Sequence, residues 1–131
     1  MFRGKSLDTG EWVYGYLFIQ APGTEYEAVY IICDLDHRES IYDIWKCAVK
    51  VDPTTVGQYT GRNDVSGVKV FTDDIIKYQM PGPYSGPEYR INKVGPVIFS
   101  DYCFMPLTFR IADSVKVIGN IHDNPELHMK K

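Results

Sequence analysis

The segment DLDH holds the residues whose types and spacing come nearest to a metal site. It contains Asp34, Asp36 and His37, and alternate residues of an extended segment point to the same side. Carboxylate oxygens are the ligands that divalent cations such as Mg²⁺ and Ca²⁺ take in proteins. A solvated turn between two strands is the competing interpretation, and it is the one we favour. A metal-dependent enzyme using this segment is an alternative hypothesis, and we expect no metal or other cofactor.

Other catalytic patterns are missing from the sequence. A P-loop ends in Gly-Lys-Ser/Thr at the start of a helix, whereas GRNDVSG, residues 61–67, lacks that ending and runs into a strand-like segment. Cys33, Cys47 and Cys103 form no CxxC pair and are odd in number. We therefore expect reduced, buried thiols rather than disulfides, zinc ligands or nucleophiles. No catalytic residue is predicted, and we expect a protein that is not an enzyme.

Length and charge limit the function classes further. The 131 residues, 44% hydrophobic and 24% charged, suit one domain or two very small ones. No run approaches the roughly 18 apolar residues of a membrane span, and no signal core is visible, so we expect a cytoplasmic protein with no membrane partner. The net charge of −3 disfavours nucleic-acid binding. The alternative is a single-stranded nucleic-acid module whose fold gathers Arg62, Lys69, Lys77 and Arg90 beside stacking aromatics.

Hydrophobic alternation predicts a mainly β protein with short strands. The predicted strands cover residues 11–19, 28–34, 40–51, 68–71, 74–79, 94–100, 102–109 and 114–122. For residues 40–51 a helix is the competing interpretation, and period-two alternation fits slightly better. Asp52 followed by Pro53 is an N-cap with proline at the first helical position and predicts one helical turn. We place this turn between an N-terminal β-rich unit, residues 1–51, and a C-terminal unit, residues 52–131, whose short, evenly spaced strands suggest a small barrel or sandwich. One continuous domain over 1–131 is also compatible.

Residues 11–19 carry the strongest strand signal. Both of its faces are apolar, so we expect a central strand, with FRGK folded back as its hairpin partner. Gly15 interrupts the strand and predicts a bulge or a close backbone approach. The segment 80–89 holds three prolines and two glycines and is expected to be a mobile surface loop.

Three stretches together resemble the YopX family of bacteriophage and prophage proteins: FRGKSLDTGEWVYGYL, then VDPTTVGQYTG followed by DDIIKY, and finally VKVIGNIHDNPEL. The resemblance implies an all-β fold with an Src-homology-3-like barrel in its C-terminal part and no established function. We interpret the family-motif positions as structural, and they are Gln58, Tyr59, Thr60, Gly61, Asp74, Gly119 and Asn120. Thr72 and Asp73 depart from the usual Glu-Gly of relatives, but aspartate tolerates a positive φ better than most residues.

The leading hypothesis is therefore a non-enzymatic phage accessory protein that acts by binding. Its expected partners are a second copy of the chain, giving a homo-oligomer, and a host or phage protein. Tyrosine and tryptophan are enriched at protein interfaces, and the candidate anchors are Trp12, Tyr59, Tyr84 and Tyr89.

Overall fold

Antiparallel strands make up most of the chain in the computed structural model, which describes residues 1–33, 45–81, 90–100, 103–107 and 114–129. This confirms the prediction of a mainly β protein. Contacts divide the chain into two units, Met1–Gln58 and Tyr59–Lys131. Within the described residues, no helix is long and apolar enough to cross a membrane.

Unit 1, Met1–Gln58, is built on an antiparallel sheet. Its strands are β1 (Phe2–Lys5), β2 (Trp12–Gln20), β3 (Ala28–Ile32), β4 (Ala48–Lys50) and the start of β5 (Gly57–Asn63). Strand β2 pairs with β1 on one side and with β3 on the other. The predictions that FRGK folds back as a hairpin partner, and that the following strand is central, are both confirmed.

Period-two alternation places the core of unit 1 on one side of the sheet. Val13 and Leu17 of β2 pack on this side, because successive side chains of a strand point to opposite faces. The remaining members of this core are Val29, Ile31, Val51, Phe2, Val49 and Val56. Ile31 is fully buried, so β3 supplies the centre of the core.

Gly15 lies on the same side of β2, where the backbone of β3 comes very close. A Cβ atom added at Gly15 would overlap the carbonyl oxygen of Ile32 and lie 2.8 Å from its carbonyl carbon. The close backbone approach predicted from the sequence is confirmed, and only glycine fits this position without moving a strand.

The prediction of one strand over residues 40–51 is wrong at its centre. Residues 40–44 lie outside the described part, Trp45 and Lys46 have a helical conformation, and the strand is limited to β4. The Trp45 ring packs edge-on against Phe18 and Tyr30. This tertiary contact overrides the weak period-two pattern, because large aromatic rings gain more from packing than the local propensity costs.

The predicted helical turn is confirmed as a 3-10 helix over Pro53–Thr55. The Asp52 carboxylate accepts a hydrogen bond from the backbone N–H of Thr54 at 3.0 Å, and Pro53 occupies the first turn. Capping by an acidic side chain and the fixed φ of proline explain why this short segment is helical.

Unit 2, Tyr59–Lys131, contains the remaining strands and a short helix. They are the rest of β5, β6 (Lys69–Phe71), β7 (Asp74–Pro81), β8 (Arg90–Pro96), β9 (Ile98–Ser100), β10 (Cys103–Met105), β11 (Lys116–Asn120) and the helix α1 (Pro125–Met129). Strand β7 lies between β11 and β8, while β9 pairs with β10 and β5 with β6. The core is formed by Val70, Ile76, Val97, Leu107 and Val115, with Tyr78, Phe104 and Val117 packed against it. Closure of this unit into an Src-homology-3-like barrel stays a prediction.

The segment predicted as one strand over 94–100 is divided at Val97. The N–H of Val97 donates to the carbonyl of Asp74 and its own carbonyl accepts from the N–H of Asp73, both at 2.8 Å. Asp73 has a φ of 71°, which confirms that aspartate keeps the turn here. The predicted loop 80–89 begins within β7, which continues to Pro81, and residues 82–89 lie outside the described part.

Candidate binding face

The side of the unit 1 sheet that points away from the core carries a row of aromatic residues. We call this surface the aromatic face and define it by Trp12, Tyr14, Tyr16, Phe18, Tyr30 and Trp45. The first four alternate along β2 opposite the core residues, and Tyr30 is the direct cross-strand partner of Phe18. Directly opposed residues of antiparallel strands share one face of the sheet, so these side chains form one surface.

Much of this surface is open to solvent. Tyr14, Tyr16, Phe18 and Trp45 are 44%, 53%, 39% and 43% exposed. Scattered single apolar residues are normal on a protein surface, whereas a contiguous group of large aromatic rings marks a binding surface.

Trp45 holds one end of the aromatic face in a fixed arrangement. Its ring centroid lies 5.3 Å from that of Phe18 and 5.5 Å from that of Tyr30, with both interplanar angles at 87°. Edge-to-face packing at these distances is favourable beyond simple burial of area. The rings are therefore ordered before any partner arrives, which lowers the entropic cost of binding.

The other end of the aromatic face is basic. Lys5 and Arg3 of β1 are the cross-strand partners of Trp12 and Tyr14. The Arg3 guanidinium carbon lies 4.5 Å from the Trp12 ring centroid and Lys5 Nζ lies 5.4 Å from it, which are cation–π distances. Lys50 is paired with Tyr30 on the same face. Among the strand residues described on this face, none is acidic.

Of the four predicted anchors, Trp12 belongs to this face, where it is half-buried between the cations. Tyr59 belongs to unit 2 and is also half-buried: its hydroxyl donates to Asn63 Oδ1 at 2.6 Å, and its ring centroid lies 5.6 Å from that of Phe71. Tyr84 and Tyr89 lie outside the described residues. Sequence reasoning missed Tyr16, Phe18 and Trp45 as anchors, although the alternation along β2 was the signal for the first two.

The predicted basic patch lies on four strands of unit 2: Arg62 on β5, Lys69 on β6, Lys77 on β7 and Arg90 on β8. Lys69 Nζ lies 5.7 Å from the Tyr59 ring centroid. Lys77 is opposite Val94, and Arg90 stands four positions further along that ladder, opposite Pro81. At the usual rise of a strand this is a separation of roughly 13 Å, so Lys77 and Arg90 do not share one contact point.

Four family-motif positions around β5 and β7 make contacts within the fold. Gln58 pairs with Phe2 in the β1 ladder. Thr60 Oγ1 donates to the carbonyl of Val70 at 2.8 Å, and Gly61 has a φ of 84° that favours glycine. The Asp74 carboxylate is only 2% exposed and accepts from the N–H of Phe71 at 2.8 Å.

The last two family-motif positions stabilise the end of β11. Asn120 Oδ1 accepts from the backbone N–H groups of His122 at 3.0 Å and Asp123 at 2.9 Å, so this side chain forms a turn with the backbone that follows it. The space at Gly119 is limited by Asn124, whose Oδ1 would lie 2.5 Å from an added Cβ. These contacts attach α1 to the sheet of unit 2.

The prediction of buried thiols is wrong, since none of the three cysteines is fully buried. Cys33 and Cys103 are exposed and Cys47 is half-buried, because Cys33 follows the last residue of β3 and Cys103 lies on the exposed β9–β10 ribbon. Partial burial of the thiol, with a smaller contribution from Cys47, raises the pKa of Cys33. A raised pKa keeps the thiol protonated at neutral pH, which disfavours nucleophilic chemistry.

Within the part of the chain that the structure describes, no group of three His, Cys, Asp or Glu residues converges to hold a metal ion. The candidate ligands Asp34, Asp36 and His37 lie outside that part.

The fold and the site define a small, mainly β protein whose most distinctive described surface is an aromatic sheet face bordered by cations. Comparison with known proteins then gives the family. The family model described as YopX protein matches residues 1–128, and the chain belongs to this family. A crystal structure of protein EF1440 from Enterococcus faecalis matches with a TM-score of 0.55 and 24% sequence identity, covering 96% of this chain and 95% of that one. This likeness shows the fold. Among curated proteins, none matches the chain at a significant level.

Proposed function

We propose that the protein is a non-enzymatic accessory protein of a phage or prophage that works in the host cytoplasm by binding another protein through its aromatic face. The observation that carries the proposal is the exposure of Tyr16, Phe18 and Trp45 on one ordered surface. Tryptophan and tyrosine are the residues that most often dominate binding energy at protein interfaces.

The chemistry of the face indicates which partner surface fits it. Aromatic rings at the centre suit an apolar patch, while Lys5 beside Trp12 and Lys50 beside Tyr30 suit carboxylates. Arg3 is only 6% exposed, so it supports Trp12 from within the fold and does not face the partner. Charge complementarity of this kind sets orientation and association rate more than affinity. We therefore expect a partner with an apolar centre and carboxylates at its border, opposite Lys5 and Lys50.

The first prediction in support of this function concerns two exposed rings. Substituting Tyr16→Ser or Trp45→Ser should weaken partner binding by about 2 kcal/mol or more, because both would be central anchors. The measurement is affinity capture from extracts of the phage-carrying host, with the variant as bait and quantitative mass spectrometry as readout. A genuine partner should be recovered with the wild type and reduced at least about tenfold with both variants.

Tyr26→Ser is the matched control for these variants. Tyr26 is 76% exposed and lies in the turn between β2 and β3, outside the strands that carry the aromatic face. This variant should recover the partner as well as the wild type does. Equal recovery by all four baits would contradict the proposed function, and so would recovery of no protein by the wild type.

Self-association through the same face is part of the proposal. Light scattering at two protein concentrations should give a mass above that of the monomer, and Tyr16→Ser should shift the distribution towards the monomer. A monodisperse monomer at both concentrations would remove the homo-oligomer from the proposal while leaving the capture experiment as its separate test.

A second candidate function, single-stranded nucleic-acid binding, is favoured by one observation. Cations lie on the same sheet face as the aromatic rings, and base stacking on aromatics beside a basic path is how such strands are bound. At low salt, an electrophoretic shift of a labelled oligothymidine by the wild type, lost in Tyr16→Ser and in Lys50→Gln, would establish this function. Absence of a shift at tens of micromolar protein would eliminate nucleic-acid binding as a function, because it would mean a binding free energy weaker than about 6 kcal/mol.

A further inference from the structure

A cavity of about 340 Å³ opens on unit 2 beside the sheet β11–β7–β8. Its polar lining residues come from all three strands and from the segment before β11, and they are Lys77, Tyr78, Gln79, Asn92, Ser114 and Lys116. We propose that this cavity binds the phosphate group of a small organic phosphate monoester. The proposal is independent of the aromatic face, which belongs to unit 1.

The two lysines of the cavity are direct cross-strand partners. Lys77 of β7 and Lys116 of β11 are aligned in the ladder, so their side chains leave the same face of the sheet a few ångströms apart at Cβ. Like charges in directly opposed positions destabilise a sheet. The Asp64 carboxylate interacts with the charge of Lys116 and offsets part of this repulsion. An anion held between the two ammonium groups offsets the rest, and a phosphate monoester supplies about −1.5 to −2 charges at neutral pH.

Neighbouring side chains hold Lys116 and the edges of the cavity in place. Lys116 Nζ donates to Ser66 Oγ at 2.7 Å. The Ser114 hydroxyl accepts from the N–H of Gln79 at 3.0 Å and donates to the carbonyl of Gln79 at 3.2 Å. These hydrogen bonds connect Ser114 to β7, so that one wall of the cavity is in place before a ligand binds.

Asn92 adds a neutral amide to the lining of the cavity. Gln79 Nε2 donates to Asn92 Oδ1 at 3.1 Å, and an amide whose oxygen is engaged in this way directs its N–H groups elsewhere. Two ammonium groups with an amide N–H donor are the chemistry that recognises phosphate oxygens. No carboxylate is among the described residues that line the cavity.

The apolar side of the cavity indicates an ester rather than the free ion. The cavity is open to solvent, and Val65, which is 58% exposed, forms its apolar wall. Such a wall suits the organic part of a ligand whose phosphate contacts the lysines.

The test is titration of the ¹⁵N-labelled full chain with ribose 5-phosphate, inorganic phosphate and ribose, followed by NMR. Ribose 5-phosphate should shift the amide signals of Lys77, Asn92 and Lys116, and ribose should shift none. The variants Lys77→Gln and Lys116→Gln should each weaken binding at least about tenfold, the factor expected for one charge-assisted hydrogen bond. Asn92→Asp should weaken it further, because it places a carboxylate beside the phosphate.

Lys93→Gln is the control with the same charge change. Lys93 lies on β8 next to Val94, which is the cross-strand partner of Lys77. Neighbouring residues of a strand point to opposite faces, so the Lys93 side chain lies on the other face from that of Lys77. Its substitution should therefore leave the affinity for ribose 5-phosphate unchanged. Equal weakening by Lys93→Gln and Lys77→Gln would overturn the proposal, and so would the absence of shifts with ribose 5-phosphate. Inorganic phosphate binding as tightly as ribose 5-phosphate would overturn the assignment to an ester.

Discussion

Replacing Gly15 with alanine should destabilise unit 1 by about 3 kcal/mol or more, at the upper end of what overpacking costs. The added methyl group would overlap the carbonyl oxygen of Ile32, and this atom belongs to the backbone of the neighbouring strand. A flexible side chain could rotate away from such a clash, whereas β3 can move only by breaking its ladder with β2. The measurement is native-state hydrogen exchange of the β2 and β3 amides, which should exchange at least about a hundredfold faster than in the wild type.

Gly95→Ala is the matched control for this substitution. Gly95 also lies inside a strand, β8, but no atom stands within 4 Å of the position of its missing Cβ. We expect a change within about 0.5 kcal/mol, because nothing is crowded and alanine restricts the unfolded chain slightly. If the β2 and β3 amides exchanged as slowly in the Gly15→Ala variant as in the Gly95→Ala variant, the close approach of β2 and β3 would be contradicted.

Local sequence signals predicted those parts of the fold that depend on local chemistry. The Asp52-Pro53 cap, the positive φ of Asp73 and the interruption of β2 at Gly15 all follow from the conformational preferences of single residues. The hairpin β1–β2 follows from a turn placed between two alternating runs. These features need no knowledge of distant residues, and the structure contains each of them.

The parts that the sequence did not predict depend on contacts between distant residues. Trp45 was assigned to a strand because its neighbours alternate, and its helical conformation is connected with its packing on Phe18 and Tyr30. Cys33 was expected to be buried because it follows apolar residues, yet β3 ends at Ile32. The spacing of residues in the sequence predicts neither the packing of Trp45 nor the exposure of Cys33, since both depend on where the strands of the sheet end.

The aromatic face likewise combines features that local sequence predicts with features that depend on distant contacts. The aromatic residues of β2 alternate visibly in the sequence, but their exposure depends on which of two apolar faces the core occupies. Val29, Ile31 and Val51 decide this by packing on the opposite side. The cations on the aromatic face were also hidden, because Arg3 and Lys5 reach Trp12 only through the register of the β1–β2 ladder.

The second large effect concerns Asp64, a buried carboxylate in unit 2. Its oxygens accept hydrogen bonds from the backbone N–H groups of Ser66 at 2.8 Å, Val68 at 2.9 Å and Val117 at 3.0 Å. These bonds connect the turn after β5 to β11. Substitution by asparagine removes the charge and one of the two acceptor oxygens, so we expect a loss of about 2 kcal/mol in the free energy of unfolding at neutral pH.

The pKa of Asp64 gives this prediction a pH dependence. Burial alone would raise the pKa, but the three backbone N–H groups and the charge of Lys116 outweigh it and lower the pKa below its ordinary value of 3.8. A group with a lowered pKa in the folded state contributes stability that is complete above its unfolded pKa and is lost as the pH falls through the folded value. Above about pH 5 the free energy of unfolding of the wild type should therefore exceed that of Asp64→Asn by a constant amount. This difference should shrink as the pH falls below the ordinary aspartate pKa of 3.8.

Urea denaturation of the wild type and of Asp64→Asn across this range measures the difference directly. Asp8→Asn, at an exposed position in the turn between β1 and β2, is the control and should follow the wild-type curve throughout. Parallel curves for the wild type and Asp64→Asn down to pH values well below 3.8 would mean that the Asp64 carboxylate titrates as it does in the unfolded chain. In that case the hydrogen bonds from the backbone N–H groups would not stabilise the charged form of Asp64. Asp64 would then connect the turn after β5 to β11 only through packing contacts.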